Sequence, residues 1–144
     1  MKAVIFYVED HMEEVNLFRY FLKKYADKVE LINFENGLLF LDYLSHNKDS
    51  LVKEHSKRKY CILLDIDLPC LSGIDLIKRI KELPKPISQI PIIMYSSSQR
   101  EHHKSESLEA GAVLYMEKPF DYEGMAANMK FLYENYLGPQ KLTH

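Results

Sequence analysis

Tyr60-Cys61-Ile62-Leu63-Leu64-Asp65-Ile66-Asp67-Leu68-Pro69, with Gly73 close behind, is the stretch that decides the fold. Residues 60–64 form an almost unbroken apolar run, as expected of a strand covered on both faces, and Pro69 and Gly73 stop it. Asp65 therefore stands where a buried parallel strand gives out, the edge at which open α/β sheets bind ligands and do chemistry. Three further apolar runs end on polar groups. Ala3 to Val8 ends on Glu9-Asp10, Ile92 to Tyr95 on Ser96-Ser97-Ser98, and Ala112 to Met116 on Lys118-Pro119. Four strand ends offering acid, acid, hydroxyl and amine make a phosphate and metal site.

Working outward, strand-length apolar runs alternate with segments of helical period, which predicts a doubly wound parallel five-stranded sheet with five helices on its two faces. The first helix runs from about Met12 to Tyr25 with Val15, Phe18, Leu22 and Tyr25 on one stripe. A strand from Val29 to Phe34 closes on the turn pair Asn36-Gly37, and Leu38, Leu41, Tyr43 and Leu44 begin a second helix. Residues 46–59 turn polar and read as an excursion or an extension of that helix. The third helix spans Ile74 to Glu82, and the fourth spans Glu101 to Ala110 and stops at Gly111. The last runs from Tyr122 to Tyr136 with Met125, Met129, Leu132 and Tyr136 aligned. A single domain over residues 1–136 with a flexible tail at 137–144 is expected.

Composition narrows the function classes. A 144-residue chain that is 47% hydrophobic suffices for one core and leaves no room for a second domain. A net charge of -2, with no Lys/Arg block, gives no footprint for nucleic acid. Cys61 and Cys70 lack the spacing of a metal or redox pair and read as reduced thiols. The first apolar run is too short for a membrane span or a secretory leader, so a cytoplasmic protein is expected.

Each polar group alone has an ordinary reading: Glu9-Asp10 as a helix cap, Ser96 as a loop serine, Lys118 as a surface lysine. Together they carry chemistry. Mg²⁺ takes carboxylate and carbonyl oxygens, which Asp10 and Asp65 supply, with Glu9 acting directly or through water. Two carboxylates about 4 Å apart repel by roughly 4 kcal/mol at an effective dielectric near 20, so the cluster invites a cation. A hydroxyl and an ammonium are the donors that a phosphoryl group needs once one of its oxygens sits on metal.

On Glu9-Asp10, Asp65 with Leu68-Pro69 and Gly73, Ser96-Ser97, Gly111, Tyr115 and Lys118-Pro119, residues 2–136 resemble the receiver domain of two-component response regulators. The resemblance implies strand order 2-1-3-4-5 and a cis Lys118-Pro119 peptide. It implies that Asp65 takes a phosphoryl group from a histidine kinase or phosphotransfer protein, with Mg²⁺ on Glu9, Asp10, Asp65 and the backbone carbonyl of Asp67. It also implies that Lys118 holds a phosphoryl oxygen, and that Ser96 and Tyr115 form a switch. That switch would speak to a protein partner, or to a second copy of the chain, through the face of the fourth helix, fifth strand and fifth helix, with Phe120, Met125 and Met129 supporting the contact. The acidic Asp67 and the longer Glu9 depart from the usual pattern without removing a required group.

Two rival readings exist. Asp65-Ile66-Asp67 also fits the Asp-x-Asp nucleophile and acid/base pair of haloacid-dehalogenase-type phosphohydrolases, although there the nucleophile normally follows the first strand. The fold also serves as a phosphorylation-independent interaction module. Neither a membrane nor nucleic acid is an expected partner.

Overall fold

The computed structural model describes residues 1–139. Five strands, β1 (Ala3–Val8), β2 (Val29–Phe34), β3 (Tyr60–Leu64), β4 (Ile92–Ser96) and β5 (Leu114–Glu117), form one sheet. Its order is β2-β1-β3-β4-β5 and every pairing is parallel. Residues in β1, β3 and β4 are buried throughout, so their continuous apolar runs match a layer with protein on both faces. At the edge, β2 exposes Glu30 between buried Val29 and Leu31.

Six helices cover the sheet: α1 (Met12–Leu22), α2 (Gly37–His46), α3 (Lys48–Glu54), α4 (Gly73–Lys81), α5 (Glu101–Ala110) and α6 (Tyr122–Leu132). Val15, Phe18 and Leu22 of α1 and Met125, Met129 and Leu132 of α6 pack on Ile5, Tyr7, Leu63, Ile93 and Tyr95. The opposite core joins Phe40, Leu44, Leu51, Leu76, Ile77 and Ile80 to Phe6, Ile62, Leu64 and Met94. Alternate residues of each strand therefore feed alternate cores.

The expected count of five helices is corrected to six, and the extra one, α3, lies in the polar excursion. Asn47 ends α2 by donating both its backbone N–H and its side-chain Nδ2 to the Tyr43 carbonyl. The Leu51 N–H then returns to the Asn47 carbonyl and starts a new turn. Only Leu51 of α3 is buried, so the stretch carries too little apolar periodicity to declare a helix. Arg58 anchors the segment between α3 and β3, bonding Glu54, Glu30 and the Lys2 carbonyl.

Smaller shifts have local causes. Gly111, at φ 127°, ends α5, and the Ala112 N–H caps the Ser107 carbonyl, so β5 starts at Leu114 rather than Ala112. α1 tightens into a 3₁₀ turn over Lys23–Tyr25, and α6 loosens into a π turn over Tyr133–Leu137. Leu137, the first residue of the expected tail, is buried, and Lys59 Nζ donates to the Gly138 carbonyl at 2.5 Å. Residues 140–144 of that tail lie outside the described residues. The cis peptide among the described residues is Lys85-Pro86, so Lys118-Pro119 is not cis. The small cis–trans gap of X-Pro bonds leaves that choice to tertiary context, which the dipeptide alone does not reveal.

Leu51→Ala should lower unfolding free energy by about 2–3 kcal/mol in urea titration, through lost burial and a residual cavity. Val52→Ala, on the exposed side of the same helix, should stay within about 0.5 kcal/mol of the wild type.

Candidate functional site

The C-terminal ends of β1, β3, β4 and β5 bring Glu9, Asp65, Ser96 and Lys118 to one rim of the sheet. Lys118 is its centre. Its ammonium donates to Glu9 Oε1 at 2.7 Å, Glu14 Oε2 at 2.5 Å and Asp65 Oδ2 at 3.1 Å. Glu9 is completely buried, and its other oxygen, Oε2, accepts from the backbone N–H groups of Asp10 and His11 and lies 3.2 Å from His11 Nδ1. The extra methylene of glutamate over aspartate lets this carboxylate fold back on the loop that starts α1 while reaching Lys118.

Three carboxylates around one ammonium leave an excess of negative charge. Burial pushes the Glu9 carboxyl up to about 7, with its hydrogen bond to Glu14 adding to the rise and Lys118 opposing it. Burial also works against ionising Glu14, yet its bonds to Glu9 and Lys118 carry that carboxyl below its ordinary range. For Lys118 burial disfavours the charge, and the surrounding carboxylates outweigh it, so the ammonium is held well above its ordinary range. Glu9, Glu14 and Asp65 each offer an oxygen within 4.8 Å of the others. Hard oxygen donors so close, with charge left over, fit a small divalent cation.

The remaining expected site residues are distributed around this centre. Asp10 is exposed and falls in a second cluster with Glu9 and His11, its Oδ1 lying 3.5 Å from His11 Nδ1. Asp67 is exposed beside the rim. Ser96 is buried, and its Oγ accepts the Ser98 N–H. Tyr115 is half-buried and donates its hydroxyl to the Ser98 carbonyl at 2.7 Å. Met125 and Met129, expected on the surface beside the fourth helix, are buried because the stripe they share points into the sheet. The exposed apolar groups of that region are Leu108, Val113 and Phe120. Glu14 went unforeseen. An acid in the first turn of a helix reads as a partner of the helix dipole, and only the seating of α1 beside α6 and β2, with Lys118 reaching back across the rim, brings the two together.

Gly73 explains why Asp65 sits so firmly. A Cβ at Gly73 would lie 2.1 Å from the Asp65 carbonyl oxygen, and the Gly73 N–H donates to the Ile66 carbonyl. The start of α4 therefore rests directly on the backbone of the rim acid.

These positions, on this sheet, decide the family: residues 5–130 match the response regulator receiver domain. The chain belongs to that family. The receiver is a signalling domain of two-component systems. Its sequence is 31% identical over 135 residues to histidine kinase P4 of Formosa agariphila, covering 93% of this chain and 9% of that protein. It is 30% identical over 115 residues to response regulator Rcp1 of Synechocystis sp., covering 80% of this chain and 76% of Rcp1. The receiver spans 5% of hybrid signal transduction histidine kinase M of Dictyostelium discoideum and 45% of sensory transduction protein LytT of Bacillus subtilis, so these relatives are mostly longer proteins. The fold matches the crystal structure of the Mn²⁺-bound form of Rcp1 with a TM-score of 0.75 at 24% identity, covering 99% of each chain. A receiver domain from Rhodospirillum rubrum superposes with a TM-score of 0.73 at 27% identity over 90% of each. Among the described residues no helix is long and apolar enough to cross a membrane.

Both the glycine contact and the buried carboxyl can be tested. Gly73→Ala must displace either α4 or Asp65, so it should cost about 1–3 kcal/mol in thermal unfolding and shift the amide resonances around Asp65. In metal-free buffer, Glu9 is more readily protonated folded than unfolded. Its contribution is therefore complete below about pH 4.5 and lost as pH rises through about 7. Urea titrations from pH 5 to 8 should show wild-type stability falling by roughly 1–3 kcal/mol, and Glu9→Gln should flatten that fall.

Proposed function

We propose that this receiver accepts a phosphoryl group on Asp65 from the phosphohistidine of a sensor kinase or phosphotransfer protein. The observation that carries the reading is the Lys118 ammonium, held within 3.1 Å of Asp65 Oδ2 by two further carboxylates. An Asp65 carboxylate oxygen attacks phosphorus, the P–N bond to the imidazole breaks, and the electron pair of that bond leaves with the imidazole. The product is an acyl phosphate. Lys118 stays charged throughout and has one bond to Asp65, so exchanging a carboxylate contact for a phosphoryl oxygen keeps it in place. The Ser96 oxygen already takes the Ser98 N–H, which leaves the Ser96 proton to donate to the phosphoryl group.

Mg²⁺, when bound, supplies positive charge to the transferring oxygens. Glu9, Asp10, Asp65 and the Asp67 backbone carbonyl are the groups that would hold it, with Glu14 next to them. The Mn²⁺-bound form of Rcp1 supports a divalent ion in this fold. Output passes by protein contact, for which the surface around α5 and β5, with exposed Leu108 and Val113, is the suited face for a target or a second copy. A phosphohydrolase of Asp-x-Asp type gains nothing from the geometry: Asp67 is exposed, and the acids grouped with Asp65 come from the end of β1 and from α1.

Acetyl phosphate with Mg²⁺ should add one phosphoryl mass to the intact protein. The label should vanish in Asp65→Asn and on chelation, and Lys118→Gln should slow labelling by about 10²-fold. A wild type that stays unlabelled under these conditions would favour the phosphorylation-independent module, and a labelled Asp65→Asn would move the acceptor elsewhere.

A further inference from the structure

Helix α5 is attached to the sheet unlike the others. Its inward residues are His103, Ser107 and Ala110, every other position is exposed, and only Ser107 is fully buried. No large apolar side chain anchors it, so polar contacts carry an unusual share of its attachment. Ser107 uses its hydroxyl on the His103 carbonyl of the same helix at 2.6 Å. Among the described residues, the side-chain hydrogen bond that leaves α5 is His103 Nδ1 with Ser98 Oγ, also at 2.6 Å.

Ser98 is where four hydrogen bonds meet. Its N–H donates to Ser96 Oγ at 3.2 Å, its carbonyl accepts the Tyr115 hydroxyl at 2.7 Å, and its own hydroxyl bonds His103 and accepts the Arg100 N–H at 3.3 Å. One residue thus touches the buried hydroxyl of the phosphoryl site, the aromatic ring on β5 and the helix on the proposed output face. We propose that the Ser98–His103 hydrogen bond tethers α5 to the phosphoryl site, with His103 a positioning residue for Ser96. The inference rests on the role given to Ser96 above. With the tether in place the loop after β4 is one ordered unit, and Ser96 meets a phosphoryl group already oriented. Without it, binding must first order the loop, and the helix no longer registers the event.

The test uses the full chain with beryllofluoride as the acyl phosphate mimic, reading its affinity at saturating Mg²⁺ and the amide hydrogen exchange of residues 101–110. In the wild type, beryllofluoride should change exchange across α5 and bind in an Asp65-dependent way. Ser98→Ala and His103→Ala should each weaken beryllofluoride about three- to tenfold, the range of one hydrogen bond, and abolish its effect on α5. The double variant should be no worse than the poorer single one. His103→Asn, which places an amide atom where Nδ1 stands, should restore both readouts. Mg²⁺ affinity, set by the carboxylates, should be unchanged in every variant, which separates loss of the tether from general damage to the site. Additive single effects, or a His103→Ala protein whose α5 responds to beryllofluoride as the wild type does, would overturn the tether and leave the phosphoacceptor reading intact. A wild type with no Asp65-dependent binding would overturn both.

Discussion

One ammonium shared by three carboxylates is the interaction on which this receiver's working edge depends. Lys118 bonds Glu9, Glu14 and Asp65 at once, and so ties the end of β5 to β1, α1 and β3. Isolated, any of these charges would be costly to bury. Fully ionised, they leave two negative charges unbalanced, and burial lifts the Glu9 carboxyl toward neutral pH. The site is therefore built around unmet negative charge, the condition that attracts a divalent cation. Because a single lysine serves three acids, the contacts are exchangeable: Lys118 can surrender one carboxylate and remain bound by the others.

Much of this was legible in the chain. Residues 60–64 are apolar without alternation because β3 is covered on both faces, and Asp65 is placed by the end of that run alone. The same logic locates Ser96 at the end of β4 and Lys118 after β5. What escaped depends on how elements approach each other rather than on what each contains. Glu14 faces Lys118 because α1 leans on the sheet at a particular phase. α3 folds around one buried leucine, too little to set a period. Met125 and Met129 share a stripe that the sequence displays, but which side that stripe faces depends on the seating of α6 on Tyr95 and Ile93. Ser98 carries no motif, and its importance comes from the path of the loop that brings Tyr115 and His103 to it.

The helices are seated unequally in a way that suits signalling. α1, α4 and α6 are seated by rows of large apolar side chains, whereas α5 is held by a histidine, a serine and an alanine. An element with so little apolar burial opens at low cost. A change at the rim of a few hydrogen bonds is then comparable with what holds α5 in place, while the same change would leave the other helices where they are.

The central position of β1 has a consequence for how the chain is made. β1 leaves a synthesising machine before the other strands, yet it pairs on one side with β2 and on the other with β3, whose first residue, Tyr60, is opposite Val4. Until residue 64 has emerged, the β1–β2 pair carries an open apolar edge, and α3 is made within that interval. Nascent chains at this stage expose a template for pairing with one another. The segment made in that interval, residues 47–59, carries Lys48, Lys53, Lys57 and Lys59, and charge beside an open strand edge disfavours pairing between chains.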